Sequence, residues 1–160
     1  NRVRRDLVEM LFHEGNHLCP ICEKSGNCEL QAMAYRLEMT EPTHFPYLEP
    51  CRDLDASHPD IALDTNRCIS CGRCIRASQD LDGKGVFGYV GRGIHRRVAV
   101  NGADLAATDA ALSDAAMAVC PVGCIIRKGE GFSTPIGARA FDHGLIGQAI
   151  EDRAGKDGSK

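Results

Sequence analysis

The chain has 160 residues, with 19 Lys and Arg against 22 Asp and Glu, which gives a formal charge of −3. This length suits one domain or two small ones, and the slightly acidic balance speaks against nucleic acid or an anionic membrane as the main partner. Five Phe, three Tyr and no Trp, together with 17 Gly, supply few bulky side chains for a core. The unusual feature is the presence of nine cysteines.

The cysteine usage predicts a reducing compartment, and we expect a cytoplasmic protein. An odd number of cysteines, nine, and a first segment patterned as an amphipathic helix rather than a secretory signal both argue against a disulfide framework. No apolar run approaches the roughly 18–20 residues that a membrane span needs. The chain lacks an initiator Met and begins inside a predicted helix, so we expect an upstream part to be missing.

In chain order, the first predicted element is an amphipathic helix that ends near Glu14 and Gly15. A cysteine-rich loop follows, and the apolar pattern over residues 29–39 predicts a second helix. Four of the seven prolines then lie between Glu41 and Asp60. Because proline removes a backbone donor and pushes its neighbour toward extended conformations, we expect a connecting loop there.

The second half of the chain is predicted to combine short helices with a hairpin. A short helix should follow Cys74 and end near Gln79. Residues 86–90 and 96–100, separated by a Gly-Arg-Gly turn, are predicted to pair as two strands. The mixture of elements predicts an α+β fold.

Two further elements complete the prediction. The Ala-rich stretch over residues 106–119 is expected to be helical, with Thr108 or Ser113 as its N-cap. The polar, Gly-containing tail from Glu151 is expected to be frayed.

The later cysteine group has the spacing of an iron–sulfur site. Cys68, Cys71 and Cys74 form a Cys-x2-Cys-x2-Cys run, and Cys120 lies far downstream, directly before Pro121. Three closely spaced thiolates suit one side of a cubane [4Fe-4S] cluster, and a distant cysteine followed by proline closes the cage. Zinc is the alternative, but a tetrahedral site made of two Cys-x2-Cys pairs would leave the third cysteine of the run unused.

Two positions decide how this second group is interpreted. Ser78 stands where a two-cluster bacterial ferredoxin would carry a further cysteine, so one cubane is expected here. Cys124 competes with Cys120 for the fourth ligand position, but only Cys120 carries the adjoining proline, which favours Cys120.

The earlier cysteine group contains three thiols, those of Cys19, Cys22 and Cys28. The fourth ligand must come from elsewhere: His17 lies on the same loop, and local reach favours it over His13 and Cys51. A neutral imidazole in place of a thiolate removes one negative charge, so it is expected to raise the reduction potential, as His ligation does in Rieske centres. A zinc site or an ordinary surface histidine is the alternative interpretation.

Cys51 and Cys124 are left outside both predicted ligand sets. For each we expect a small buried hydrophobic residue with an idle thiol. No P-loop and no Gly-x-Gly-x-x-Gly pattern occurs, so nucleotide binding by this chain is not expected, and no catalytic residue is predicted.

Three segments resemble a known iron–sulfur region. They are His-Leu-Cys-Pro-Ile-Cys-Glu-Lys-Ser-Gly-Asn-Cys-Glu-Leu-Gln over residues 17–31, Asn-Arg-Cys-Ile-Ser-Cys-Gly-Arg-Cys over 66–74, and Val-Cys-Pro-Val-Gly over 119–123. This region is shared by the diaphorase gamma subunit of soluble NAD-reducing nickel–iron hydrogenases, the large iron–sulfur subunit of respiratory complex I, and iron-only hydrogenases. The resemblance spans about residues 1–140.

The resemblance implies two [4Fe-4S] clusters. The implied ligands are His17, Cys19, Cys22 and Cys28 for the first cluster, and Cys68, Cys71, Cys74 and Cys120 for the second. In complex I the histidine usually stands four residues before its first cysteine, where this chain has Gly15. The Glu-Gly-Asn-His-x-Cys sequence over residues 14–19 resembles the hydrogenase gamma subunit instead.

The resemblance also implies an organisation in modules. We expect a helical His/Cys3 cluster module over residues 1–40, a proline-rich connection over 41–64, a ferredoxin-like [4Fe-4S] module with a β-hairpin over 65–140, and a tail over 141–160. The family normally carries a plant-type [2Fe-2S] domain upstream, which is missing here through truncation or loss.

The implied function is to relay electrons between a flavin site that takes hydride from NADH and a partner redox enzyme, with the short gamma subunit of a soluble hydrogenase as the best match. The implied partners are a flavoprotein NADH-oxidising subunit and hydrogenase subunits, in a hetero-oligomer. The chain itself makes and breaks no substrate bond.

Two other functions stay open. One is the equivalent segment of complex I or of an NAD-linked formate dehydrogenase, and the other is a zinc-stabilised interaction module without redox activity. Arg67 and Arg73 beside the second cluster, and Lys24 in the first loop, are candidates to stabilise the reduced state. Ordinary solvated charges are the alternative for all three.

Overall fold

The computed structural model describes residues 1–48 and 52–157, so the prediction for Cys51 lies outside the described residues. Within these ranges the helices are α1 (Arg2–Glu14), α2 (Glu29–Arg36), α3 (Arg73–Asp80), α4 (Ala115–Ala118) and α5 (Gln148–Asp157). The strands are β1 (Leu54–Asp55), β2 (Ile61–Asp64), β3 (Phe87–Val90), β4 (Arg97–Val100) and β5 (Ile125–Arg127). The mixture of helices with small sheets confirms the α+β prediction.

Two small antiparallel sheets organise the later part of the chain. In the first, β2 lies between β1 and β5, with Leu63 opposite Ile125. In the second, β3 pairs with β4, with Phe87 opposite Val100. This pair confirms the predicted hairpin, although each strand begins one residue later than predicted.

The first two helices confirm the predicted elements, but α2 ends earlier than its apolar pattern suggested. Glu38 adopts a left-handed conformation with φ 56°, and its N–H donates to the carbonyl of Tyr35 at 3.0 Å. The N–H of Met39 donates back to the carbonyl of Ala34 at 2.9 Å. This pair of bonds is a Schellman motif, which satisfies the last carbonyls of the helix and stops it at Arg36.

The Ala-rich segment forms a much shorter helix than expected. The predicted helix over residues 106–119, with its N-cap at Thr108 or Ser113, is wrong. A 3₁₀ turn spans Leu105–Ala107, and only the four residues of α4 are α-helical there, with Asp114 at the N-cap position.

Polar side chains explain why the longer helix does not form. The Thr108 hydroxyl accepts the N–H of Ala110 at 3.3 Å, and the Asp114 carboxylate accepts the N–H of Ala111 at 2.9 Å. Asp82, in the turn after α3, accepts the first two N–H groups of α4 at 2.8 and 3.1 Å. Local side-chain bonds of this kind compete with the helical hydrogen bonds and favour turns.

The expected connecting loop contains strands. β1 lies inside it, and β2, buried along its whole length, follows directly. The N–H of Asp64 donates to the carbonyl of Cys124 at 2.7 Å. The sheet therefore joins the end of the connection to the turn after Cys120, and the module boundaries stay a prediction.

Small apolar side chains and cysteines fill much of the core. Ile61 and Leu105 are fully buried, and Cys28, Cys120 and Cys124 belong to the same cluster of buried residues. Phe87 is the one aromatic residue among the buried hydrophobic residues of the described ranges. The sparse aromatic content of the sequence is thus reflected in the packing.

The tail contains a helix that was not predicted. α5 spans Gln148–Asp157, and Glu151 pairs with Arg36 of α2. Upstream of it, the N–H of Ala140 donates to the Asn27 side chain at 2.8 Å. The segment after β5 therefore packs against the first cysteine loop.

No helix among residues 1–48 and 52–157 is both long and apolar enough to cross a bilayer.

A buried carboxylate ties α1 to the loop that follows α2. Glu9 is 1% exposed and accepts the backbone N–H of Thr43 at 2.7 Å and the backbone N–H of His44. The ring nitrogen Nδ1 of His44 lies 3.0 Å from the second carboxylate oxygen. Burial alone would raise the pKa of Glu9, but these hydrogen bonds outweigh it and lower the pKa from 4.5 to about 2.

We expect Glu9→Ala to lower the free energy of unfolding by about 2–3 kcal/mol near neutral pH, because the backbone N–H groups of Thr43 and His44 lose a charged acceptor. The folded pKa lies below the unfolded value of 4.5, so this stabilisation is present above that pH and is lost as the pH falls toward 2. Urea unfolding of both proteins from neutral to acidic pH measures the difference between them. A difference that stays constant with falling pH would contradict the prediction.

Candidate metal centres

The first cysteine loop is built on a short turn that precedes α2. A 3₁₀ turn spans Cys19–Ile21, with Pro20 near its start, and the N–H of Cys22 donates to the carbonyl of Cys19 at 3.2 Å. Cys28 is buried and is the N-cap residue of α2. The loop therefore places two thiols on one turn and the third at a helix start.

The residues predicted as ligands of the first cluster line one small cavity. They are His17, Cys19, Cys22 and Cys28. Phe12, Leu30 and Gln31 close its sides, and Gly123 reaches it from the second cysteine group. His13, the alternative histidine, is not among the lining residues and lies 3.5 Å from Glu9 instead.

The imidazole of His17 lines this cavity. Its Nε2 is buried and has no hydrogen-bond partner among the described residues, and its ring meets the Phe12 ring edge-on, with centroids 5.6 Å apart. Burial, aided by the nearby charge of Arg67 and opposed by Asp64, lowers the pKa of His17 from 6.5 to about 4. The ring is therefore neutral at physiological pH, which is the form that binds metals.

Gly15 leaves room for this imidazole. A Cβ atom at position 15 would lie 2.5 Å from Nε2 of His17 and 3.0 Å from the carbonyl oxygen of Asn66. A side chain at position 15 and the ring of His17 would therefore occupy the same space. The backbone at Gly15 has φ −128° and ψ 163°, which any residue can adopt, so the constraint is one of space.

The second cysteine group is gathered from three parts of the chain. Cys68 follows a 3₁₀ turn at Thr65–Arg67, Cys74 lies in the first turn of α3, and Cys120 follows α4. The N–H of Ser70 donates to the sulfur of Cys68 at 3.4 Å. Backbone N–H groups aimed at cysteine sulfurs are a common feature of iron–sulfur loops.

Burial differs among the thiols of this group. Cys120 is buried, Cys68 and Cys74 are partly buried, and Cys71 is exposed. Cys124 is buried, as expected, and its thiol lies near those of Cys68 and Cys120, where hydrogen bonding to it lowers the pKa of Cys68 to about 7 and that of Cys120 to about 6. The structure therefore places a fifth thiol among the four that were predicted from the sequence as ligands of the second cluster.

Burial keeps other thiols protonated in the absence of a positive partner. It raises the pKa of Cys28 to about 11, and burial together with neighbouring thiolates raises that of Cys74 to about 12. A cationic core would reverse this preference, because metal ions bind thiolates and displace their protons. Within the part of the chain that the structure describes, no group of three or more His, Cys, Asp and Glu side chains is arranged to hold a metal ion.

Three supporting residues were not recognised from the sequence. Gln31 is buried and accepts the N–H of Gly26 at 2.7 Å, which fixes the first loop. Tyr89 donates its hydroxyl to the carbonyl of Ser70 at 2.7 Å, which braces the second loop. Ser78 is 1% exposed and accepts the N–H of Val86 at 2.9 Å. A polar residue within an apolar helical pattern was the only sequence signal for Gln31 and Ser78.

The two cysteine groups share a wall. A Cβ atom on Gly123 would lie 2.8 Å from the sulfur of Cys22, so the backbone after Cys120 passes directly beside the first group. The N–H of Glu29, next to Cys28, donates to the carbonyl of Pro121 at 2.8 Å. These contacts bring the thiols of one group next to the backbone of the other.

Two family models match the chain. The NADH-ubiquinone oxidoreductase-G iron–sulfur binding region matches residues 4–43, and the ferredoxin-like domain of NADH-quinone oxidoreductase subunit 3 matches residues 58–126. Each match contains one of the cysteine groups. The first also contains the buried His17, and the second includes most of the sheet and the hairpin.

Known proteins resemble the chain over most of its length. The gamma subunit of the NAD-reducing hydrogenase HoxS of Cupriavidus necator is 40% identical over 141 residues, which are 88% of this chain and 60% of that subunit. A subunit of the NADH-quinone oxidoreductase of Rhizobium meliloti is 34% identical over 77% of this chain and 14% of its own length. The chain thus spans about 60% of the length of its hydrogenase relative.

A solved structure has the same fold. A chain in the crystal structure of an NAD⁺-reducing [NiFe]-hydrogenase in the H₂-reduced state is 54% identical, with a TM-score of 0.85, over 89% of this chain and 61% of that chain. The chain is therefore a relative of the gamma subunit of NAD-reducing hydrogenase, and it shares its iron–sulfur region with the matching subunits of NADH-quinone oxidoreductases.

Proposed function

We propose that the chain is an electron-transfer subunit that holds two [4Fe-4S] clusters. The first centre would be bound by His17, Cys19, Cys22 and Cys28. The second centre would be bound by Cys68, Cys71, Cys74 and Cys120. The observation that carries this proposal is that His17, whose Nε2 is buried without a hydrogen-bond partner among the described residues, lines one cavity together with the three cysteines of the first group.

The donor chemistry supports iron–sulfur clusters at both places. Such clusters take thiolate and imidazole ligands and accept or donate single electrons. The residues of the chain would position the clusters and control their surroundings. The loops hold the sulfurs, the apolar walls exclude water, and backbone N–H groups such as that of Ser70 donate to cysteine sulfur. Cys120 is the preferred fourth ligand of the second centre, with Cys124 as a hydrogen-bonding neighbour.

The relatives suggest the assembly in which this chain works. Their names describe a component of an NAD-reducing hydrogenase and components of NADH-quinone oxidoreductases. We propose the first setting, a hetero-oligomer with a flavoprotein that oxidises NADH and with hydrogenase subunits, because the identity and coverage are higher there. A [2Fe-2S] domain upstream and a cytoplasmic location remain predictions.

We expect anaerobically prepared protein to contain about eight iron atoms and eight acid-labile sulfides per chain, since each cubane holds four of each. Iron and sulfide analysis measures the numbers, and EPR after reduction should show two centres. A colourless protein that contains zinc and no sulfide would support the zinc-stabilised interaction module and exclude electron transfer.

We expect His17→Cys to lower the reduction potential of the first centre and retain its iron, because a thiolate adds one negative charge to the ligand set. EPR-monitored redox titration measures the potential. In His17→Ala the first centre should lose iron or change its EPR signal. If His17→Ala left both the iron content and that signal unaltered, the histidine assignment would be wrong.

We expect Gly15→Ala to perturb the first centre without touching a ligand, because its methyl group would displace the imidazole of His17. The first centre should show lower iron occupancy or a changed EPR signal, while the second stays intact. Gly144→Ala is the matched control, since nothing lies within 4 Å of a Cβ atom at that position. Equal behaviour of the two variants would show that position 15 has room for a side chain.

A further inference from the structure

Arg67 precedes Cys68 in the sequence, yet its side chain reaches the other centre. Its Nη1 lies 3.8 Å from the sulfur of Cys22 and 2.7 Å from a carboxylate oxygen of Glu23. Its Nε lies 3.0 Å from a carboxylate oxygen of Asp64. The side chain is 17% exposed, so its charge acts in a place largely shielded from water.

The surrounding backbone fixes the direction of this side chain. Asp64 caps the 3₁₀ turn that carries Arg67, by accepting the N–H of Asn66 at 3.1 Å. Its own N–H is bound to the carbonyl of Cys124, so the carboxylate that holds Nε is anchored to the sheet. A Cβ atom on Gly123 would lie 3.4 Å from Nη1 of Arg67. The guanidinium is thus held in the wall shared by the two cysteine groups.

The charges around Cys22 predict the direction in which this contact shifts the reduction potential of the first centre. A reduced cluster carries one more negative charge than an oxidised one, so a nearby positive charge and an N–H···S bond stabilise the reduced state and raise the potential. Removing the guanidinium would also leave the negative charges of Glu23 and Asp64 without the positive charge that they pair with. Both effects act in the same direction, toward a lower potential.

We propose that Arg67 sets the reduction potential of the first centre, to which it contributes no ligand, rather than that of the second centre beside it in the sequence. The guanidinium donates to Cys22 sulfur, and Glu23 and Asp64 position it. This inference rests on the proposed function, because it requires both clusters. It differs from the sequence-based expectation that Arg67 acts on the second centre.

The test is an EPR-monitored redox titration of the iron-loaded chain, in which the two centres are followed separately. In Arg67→Met the midpoint potential of the first centre should fall by more than that of the second. In Glu23→Gln it should rise, because a negative charge is removed while the guanidinium stays. Glu23→Gln keeps the proposal testable if Arg67→Met does not fold.

Arg73→Met is the matched control. Arg73 is also adjacent to a cysteine, Cys74, but its guanidinium pairs with Glu29 at 2.6 and 2.8 Å, and its side chain is 44% exposed. Because its ion pair with Glu29 is exposed to solvent, its loss should shift the potential of the first centre by much less than Arg67→Met does. A larger shift of the second centre in Arg67→Met, or an unmoved first centre in both Arg67→Met and Glu23→Gln, would overturn the inference. Absence of iron and sulfide from the unaltered protein would instead overturn the proposed function.

Discussion

The close approach of the two cysteine groups at Gly123 constrains the rest of the molecule. The backbone at Gly123 passes so near the sulfur of Cys22 that a Cβ atom would lie only 2.8 Å away. This approach requires α2 to start beside the turn after Cys120, and the hydrogen bond from Glu29 to Pro121 holds it there. The first cysteine loop and the turn after Cys120 are distant in the sequence, yet each limits the conformation of the other. A substitution in one of them should therefore alter the packing of the other.

The composition and the core have a common explanation. With Phe87 as the one buried aromatic residue of the described ranges, and with Cys28, Cys120 and Cys124 in the main buried cluster, thiols occupy places that large side chains fill in most domains. Buried thiols that lie close together gain little from packing with one another. Under the proposed function, inorganic cores would complete this arrangement and would bind Cys28 and Cys74 as thiolates, although burial raises the pKa of both thiols when no metal is bound.

The sequence predicted the elements whose signals are local. The helices α1 to α3 and the hairpin follow from apolar periodicity and turn residues, and the spacing of the cysteines nominated the thiols that line the first cavity. The sheet of β1, β2 and β5 was missed because β1 has only two residues and because β2 and β5 pair residues more than sixty positions apart, which no local pattern reports. The Ala-rich helix was predicted wrongly because intrinsic propensity was outweighed by the side chains of Thr108, Asp114 and Asp82.

At two residues of the candidate centres, the neighbours in the sequence differ from the groups that the residue meets in space. Gly15 and His17 are two positions apart, yet a side chain at the first would meet the ring of the second. A side chain at position 15 and the imidazole of His17 therefore compete for the same space, which the spacing in the sequence does not reveal. Arg67 shows the converse: it adjoins Cys68, but a side chain of its length carries the charge to Cys22. Proximity in sequence identifies the loop that a residue belongs to, whereas the reach of its side chain decides which centre it affects.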